Sequence, residues 1–147
     1  MNRAEYLGAF CLIVIMSLFS CSKNPQPIVY GKDACHYCQM TIVDKIHGAE
    51  IVTDKGKVFK FDAAECLIRY KHDLGSTEGY LLLTNHLETP GAFVPMEDAT
   101  FLISEDLPSP MGAFLTAFKT DAKAMQIKDE NGGDLYSWED LQKQIEN

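Results

Sequence analysis

Cys35-His36-Tyr37-Cys38-Gln39-Met40 places two thiols, an imidazole and a thioether within six residues. Four chemistries are open to such a set. A structural zinc site closes a tetrahedron with four ligands, usually two Cys pairs or a Cys pair with a His pair, and the sequence lacks a second knuckle. A thioredoxin-like redox pair places its CxxC at a helix N-terminus, where the dipole lowers the first thiol's pKa. Here Cys35 and Cys38 run instead into Met40-Thr41-Ile42-Val43, whose β-branched residues favour a strand. Inert packing or a plain disulfide leaves Met40 and His36 without a role. A Cu(I) site uses the whole set, because a soft, low-coordinate ion accepts thiolate and thioether and rejects hard oxygen ligands. Met40, two residues after Cys38, reaches the same ion if the loop curls, and a thioether cannot be lost to a disulfide.

Further candidates are scattered downstream. Ser109-Pro110-Met111-Gly112 is a loop signature, and a Met between Pro and Gly is poorly placed for a core. Both ligand and core-edge roles stay open for Met111, and Met96, after Pro95, is a weaker candidate of the same kind. Met125 falls within a predicted helix and is assigned to the core. His47, His72 and His86 are read as surface residues, and His36 as either a ligand or a solvated loop residue. Cys66 lies on the apolar face of a predicted helix, where packing is favoured over ligation.

The elements that must position these residues follow from periodicity and turn chemistry. Glu50–Thr53 and Val58–Phe61 read as strands joined by Asp54-Lys55-Gly56-Lys57. Asp62 is expected to cap a helix, with Glu65 completing a capping box, and Ala63, Cys66, Leu67 and Tyr70 form its apolar face to about His72. A second unit of the same kind follows, with strands at Tyr80–Thr84, Ala99–Ser104 and Ala113–Phe118. Its helix starts at Thr120 or Asp121, runs to about Ile127, and is stopped by Asn131-Gly132-Gly133. Leu135-Tyr136 is extended, and Ser137 begins a last helix reaching Ile145. The expected class is α+β with mostly antiparallel strands.

The chain has 147 residues, 46% of them hydrophobic, with a formal net charge of -8. That composition excludes a disordered chain, and the acidity excludes binding to a nucleic-acid backbone. Residues 1–20 have a short positive start and an apolar stretch from Leu7 to Phe19, and read as a lipoprotein signal peptide. Leu18-Phe19-Ser20-Cys21 resembles the bacterial lipobox, which makes Cys21 the expected lipidated N-terminus, followed by a tether over 21–31 and a domain over 32–147. Of five cysteines, Cys11 leaves with the signal and Cys21 carries lipid. Cys35, Cys38 and Cys66 remain, an odd number for an oxidising compartment, so at least one is a free thiol or a ligand.

Taken in order, these pieces resemble the NosL family, nitrous oxide reductase accessory proteins that are small lipid-anchored copper chaperones. The resemblance rests on Cys35–Met40, on Val58-Phe59-Lys60-Phe61-Asp62-Ala63-Ala64-Glu65-Cys66-Leu67, on Ser109–Gly112 followed by Ala117-Phe118, and on Gly132-Gly133-Asp134-Leu135-Tyr136-Ser137-Trp138-Glu139-Asp140-Leu141. It implies two small related ββαβ-like halves and a Cu(I)-binding, non-enzymatic function. It further implies delivery of copper for the copper-sulfide centre of nitrous oxide reductase, alongside an ABC-type maturation complex, from a membrane lipid anchor facing the periplasm. Cys38 and Met40 match the family's Cys-x-Met core, and Met111 its Pro-Met-Gly methionine. Cys35 and His36 match less constant positions, and Gln39 stands where the family commonly has Gly. A chaperone for another cuproenzyme and a thiol-disulfide oxidoreductase using Cys35 and Cys38 are the alternatives.

Overall fold

A computed structural model describes residues 23–145. The signal segment 1–20 and the expected lipid attachment at Cys21 lie outside the described residues. Among the described residues, no helix is long and apolar enough to cross a membrane.

Two units of one topology make up the molecule. In the first, β1 (Ala49–Val52) and β2 (Val58–Phe61) form a hairpin, α1 (Ala64–Leu74) crosses over, and β3 (Leu81–Asn85) returns to the far side of β1. In the second, β5 (Thr100–Ile103) and β6 (Leu115–Phe118) pair, α2 (Asp121–Asn131) crosses, and β7 (Asp134–Tyr136) returns to the far side of β5. Each first strand is thus central and antiparallel to both partners: Ile51 faces Phe59 and Leu82, and Phe101 faces Ala117 and Tyr136. The expectation of two ββαβ halves is met, with one correction: the strand expected at Tyr80–Thr84 in the second unit is β3, which closes the first sheet on β1. An additional strand, β4 (Phe93–Pro95), extends the first sheet on β3 and leads into a 3-10 turn at Met96–Asp98. A last helix, α3 (Trp138–Ile145), follows β7.

Phe61, Ile51, Leu67, Phe101, Leu115 and Leu141 join one buried core contributed by both units. Full burial of each such side chain is worth roughly 1.5–3 kcal/mol. The units are also stitched by polar contacts at the β3–β4 connection. Leu87 N–H donates to the Ala117 carbonyl at 3.0 Å. The Glu88 carboxylate accepts from Lys119 N–H, Thr120 N–H and the Thr120 hydroxyl at 3.1, 3.0 and 3.1 Å.

Several local expectations are corrected. Thr41-Ile42-Val43 is not a strand: a single bridge joins Thr41 to Ala34, while Ile42 plugs the core and Val43 faces solvent. Asp62 does not cap α1; Ala63 occupies that position without a side-chain bond, and Glu65 is wholly buried rather than reaching back. The second helix does have its cap, Thr120, whose hydroxyl accepts from Lys123 N–H. It runs on to Asn131, where Gly132 at φ 71° ends it by donating to the Lys128 carbonyl. Met125 is 52% exposed rather than core, because Ala124 and Ile127 form the buried face of α2.

Residues 23–31 have no regular structure, as Pro25 and Pro27 dictate, yet they are fastened to the first sheet. Ile28 is buried, Lys60 Nζ donates to the Pro27 carbonyl at 2.8 Å, and Gln26 N–H donates to Glu50 Oε1 at 2.9 Å. Glu50 is fully buried on β1, and its Oε2 has no hydrogen-bond partner. Burial raises its carboxyl to about 7 against the Gln26 bond and the Lys60 charge. A carboxyl raised in this way supports the fold below its unfolded value, and that support is lost as pH rises through about 7. Glu50→Gln is therefore expected to gain stability relative to the wild type between pH 5 and pH 8, read by urea unfolding at both values. An unchanged difference between the two proteins across that range would show that Glu50 is ionised throughout.

Candidate metal centre

The sulfurs of Cys35, Cys38 and Cys66 lie within 4.8 Å of one another, the one such group of potential metal ligands among the described residues. All three are free thiols. Two pieces of local structure bring them together. Residues 35–39 form a single turn, closed by Gln39 N–H to the Cys35 carbonyl at 3.0 Å and flanked by Cys35 N–H to the Met40 carbonyl at 2.8 Å. His36 N–H donates to the Lys60 carbonyl at 2.8 Å, which hangs the turn on the end of β2. Because α1 begins three residues after β2, Cys66 in its first turn swings back beneath the same turn.

Gln39 sits at φ 64°, the left-handed region where a side chain costs roughly 1–2 kcal/mol and glycine costs nothing. That explains why glycine suits the position. Gln39 offsets part of the cost by donating from Nε2 to the His36 carbonyl at 2.8 Å.

The electrostatics of the three sulfurs are unequal. Cys35 is drawn down to about 5, first by the Cys66 thiol donating to it, against its burial, and then by backbone N–H groups of Asp62, Cys38 and Tyr37. Cys66 is pushed far up by that same bond, by burial and by the neighbouring sulfur charges. Cys38 is raised by burial, with a backbone N–H of Met40 countering it. Of the three sulfurs, Cys35 is thus the one most readily ionised. Beside it lie Asp62 and Glu65, both buried and both raised, chiefly by burial. Each leaves one oxygen without a partner, and Ser109 donates to the other oxygen of Glu65 at 2.5 Å. That bond ties the Ser109–Gly112 loop, and with it Met111, to the start of α1.

The expected site residues are placed as follows. Cys35 is sealed and Cys38 half-buried. Met40 is 55% exposed, and Met111 is partly buried against the core cluster that contains Cys35 and Cys66. His36 is not in the sulfur group; its ring packs on Phe59 and Tyr70, with centroids 4.6 and 5.0 Å away. Cys66, assigned to packing, is indeed buried but completes the sulfur group. Its helical periodicity disguised it, while the odd thiol count was the signal that pointed to it. Met96 is core, 1% exposed in its 3-10 turn. His47 and His86 are buried rather than surface residues, because Asp44 and Thr116 engage the first and Glu88 the second; His72 is exposed as expected.

The NosL family model matches residues 28–145. The chain belongs to the NosL family. A solved structure of similar fold, the copper chaperone NosL from Shewanella denitrificans, aligns with a TM-score of 0.68 at 22% sequence identity, covering 80% of this chain and 95% of that one. No curated protein matches the chain.

The site's charge distribution is measurable without any metal. In the reduced protein, ultraviolet thiolate absorbance equal to one of the three cysteines should persist at neutral pH and vanish as pH falls through about 5. Cys66→Ala removes the principal donor, so the midpoint should move up toward the free-thiol value of about 8.5. A wild-type midpoint already at that value would dismiss the donor arrangement.

Proposed function

We propose that this NosL-family protein is an extracytoplasmic carrier of Cu(I), held at the membrane through lipid on Cys21. The observation that supports it most is the convergence of the Cys35, Cys38 and Cys66 sulfurs within 4.8 Å. Cuprous ion is the cargo that three soft, crowded sulfurs suit best: it accepts two- or three-coordinate geometry and gains nothing from oxygen ligands. Cys35 supplies a thiolate already formed, and Cys38 and Cys66 release their protons as the ion binds. Cys66 lies in the first turn of α1, where the helix dipole favours the charge it acquires.

Met40 and Met111 serve as the outer ligands. Met40 stands exposed two residues after Cys38, and Met111 packs, on the loop fastened to Glu65, against the cluster that contains Cys35 and Cys66. Release proceeds by ligand exchange. An incoming thiolate or thioether displaces Cys38 first, since Cys35 and Cys66 are sealed from solvent. No covalent step on a substrate is involved, and the protein is not an enzyme. A redox enzyme of thioredoxin type is disfavoured because the Cys35–Cys38 turn continues into an isolated bridge rather than a helix. The acceptor is the copper-sulfide centre of nitrous oxide reductase, reached with an ABC-type maturation complex in the periplasm. Another cuproenzyme is the alternative client.

Anaerobic Cu(I) titration of the reduced protein against a chromophoric chelator tests this reading. One ion per chain is expected to bind tightly. Cys38→Ser and Cys66→Ala should each weaken it by well over about tenfold, or about 1.4 kcal/mol. Met111→Leu, which keeps volume and removes the thioether, should weaken it less. Failure to compete with the chelator would end the copper reading, and an unaffected Cys66→Ala protein would remove the third sulfur from the site.

A further inference from the structure

The three sulfurs also have the arrangement for a second chemistry. The turn over residues 35–39 carries Cys35 and Cys38 at a three-residue interval on one face, and Cys38 N–H points at Cys35 Sγ from 3.5 Å. Cys66 belongs to a different element, α1, and is sealed from solvent together with Cys35. Only Cys38 has exposed surface, so a reagent from outside meets that sulfur alone. Its neighbours in the motif, Tyr37 and Met40, are exposed, and no Lys, Arg, Asp or Glu stands on its own turn.

We infer that Cys35, Cys38 and Cys66 form a redox-gated site, in which thiol-disulfide exchange with an external disulfide links Cys35 to Cys38, leaves Cys66 a lone thiol and abolishes copper binding. The steps balance. The Cys38 sulfur, losing its proton, attacks one sulfur of a disulfide R–S–S–R, forming a mixed disulfide and expelling one thiolate, which takes up that proton. The Cys35 sulfur, held by the turn beside Cys38, then attacks the Cys38 sulfur and expels the second thiolate. In sum the external disulfide gains two electrons and becomes two thiols, taking one proton from Cys38 and one from water, while Cys35 and Cys38 lose the two electrons. Geometry favours this pair, because a sulfur–sulfur bond of about 2.05 Å forms within one turn by rotation of two side chains. Cys66, within the same 4.8 Å but on α1, is the rival partner that the masses below distinguish. A dithiol reductant reverses the reaction, so the natural partner of this activity is an extracytoplasmic dithiol-disulfide couple, and copper and the disulfide are alternative states of the same sulfurs.

The inference rests on the copper reading, and the experiment separates the two. The reduced, copper-free protein is incubated with oxidised glutathione, alkylated, digested with trypsin and weighed. Cys35 and Cys38 share the tryptic peptide 33–45, and Cys66 lies in 61–69. The expected product is peptide 33–45 lighter by two hydrogens, with 61–69 alkylated as a free thiol. Cys35→Ser should stop the reaction at glutathione attached to Cys38. The oxidised protein should no longer compete with a Cu(I) chelator, dithiothreitol should restore competition, and copper loaded beforehand should protect peptide 33–45. A persistent glutathione adduct on Cys38 in the wild type, or peptide 33–45 joined to 61–69, would overturn the pairing. Undiminished copper competition after oxidation would overturn the gating. Failure of the reduced protein to compete overturns the copper reading and with it the gating, whereas the pairing is judged by the masses alone.

Discussion

The Cys35 sulfur sits wholly inside a protein core, and the donors gathered around it draw its thiol well below the usual range. An isolated buried anion is strongly disfavoured unless donors replace the lost water. Here they come from separate parts of the chain: N–H groups of Tyr37 and Cys38 from the turn, that of Asp62 from the β2–α1 junction, and the thiol of Cys66 from α1. Satisfying one sulfur therefore fixes the turn, the end of β2 and the start of α1 relative to one another. Most of these donors are backbone groups, so the site inherits its precision from the fold rather than from flexible side chains. The price is a crowded, acidic neighbourhood in which Asp62 and Glu65 are pushed toward their neutral forms.

Comparison of the two ββαβ units isolates what the chemistry displaced. At the strand-to-helix junction of the second unit, Thr120 caps α2 in the ordinary way. At the matching junction of the first, Ala63 leaves α1 without a side-chain cap, a loss of about 1 kcal/mol by the usual measure of such caps. Asp62 gives its backbone N–H to the Cys35 sulfur instead, and Glu65 turns inward to Ser109. The first unit thus sacrifices local helix stability where the second does not. The second unit carries no sulfur group among the described residues, and contributes Met111 and the contact of Thr116 with His47.

This displacement also explains which parts were legible in the amino-acid sequence. Both hairpins, α1 and the final helix follow from periodicity and turn chemistry, because their apolar faces obey ordinary core packing; α2, which buries only Ala124 and Ile127, is legible instead from its start at Thr120 and its Asn131-Gly132-Gly133 stop. The capping box fails although Asp62 and Glu65 have the right types and spacing: α1 starts one residue later, with Ala63 at the cap position, and Glu65 turns inward to Ser109. Cys66 has a helical interval that fits core and ligand equally, and no local pattern distinguishes a buried thiol with sulfur neighbours from one with methyl neighbours. His47 and His86 were read as surface residues because their partners are either a turn carboxylate or distant in the chain. Thr41-Ile42-Val43 looked extended from composition, yet Ile42 packs singly into the core while the flanking residues face water. The surface placement of Cys38 and Met40, by contrast, is readable from the motif, since a loop that carries a Cys and a Met between polar residues has no core to join.

Exposure decides how such a site is used. Of the three sulfurs only Cys38 meets solvent, and the exposed motif residues on either side of it, Tyr37 and Met40, are apolar or weakly polar. Ligand exchange at a soft metal proceeds through an added ligand, and that ligand has one side from which to enter. Whatever arrives, a donor's thioether, an acceptor's thiolate or a disulfide, meets Cys38 before either sealed partner. In the proposed carrier, Cys35 and Cys66 are the holding pair and Cys38 the ligand that opens. A site with all three sulfurs exposed would bind as well in a static sense but would release in no defined order. Sealing two of them gives the exchange a direction, and it places affinity and release on different residues of one cluster.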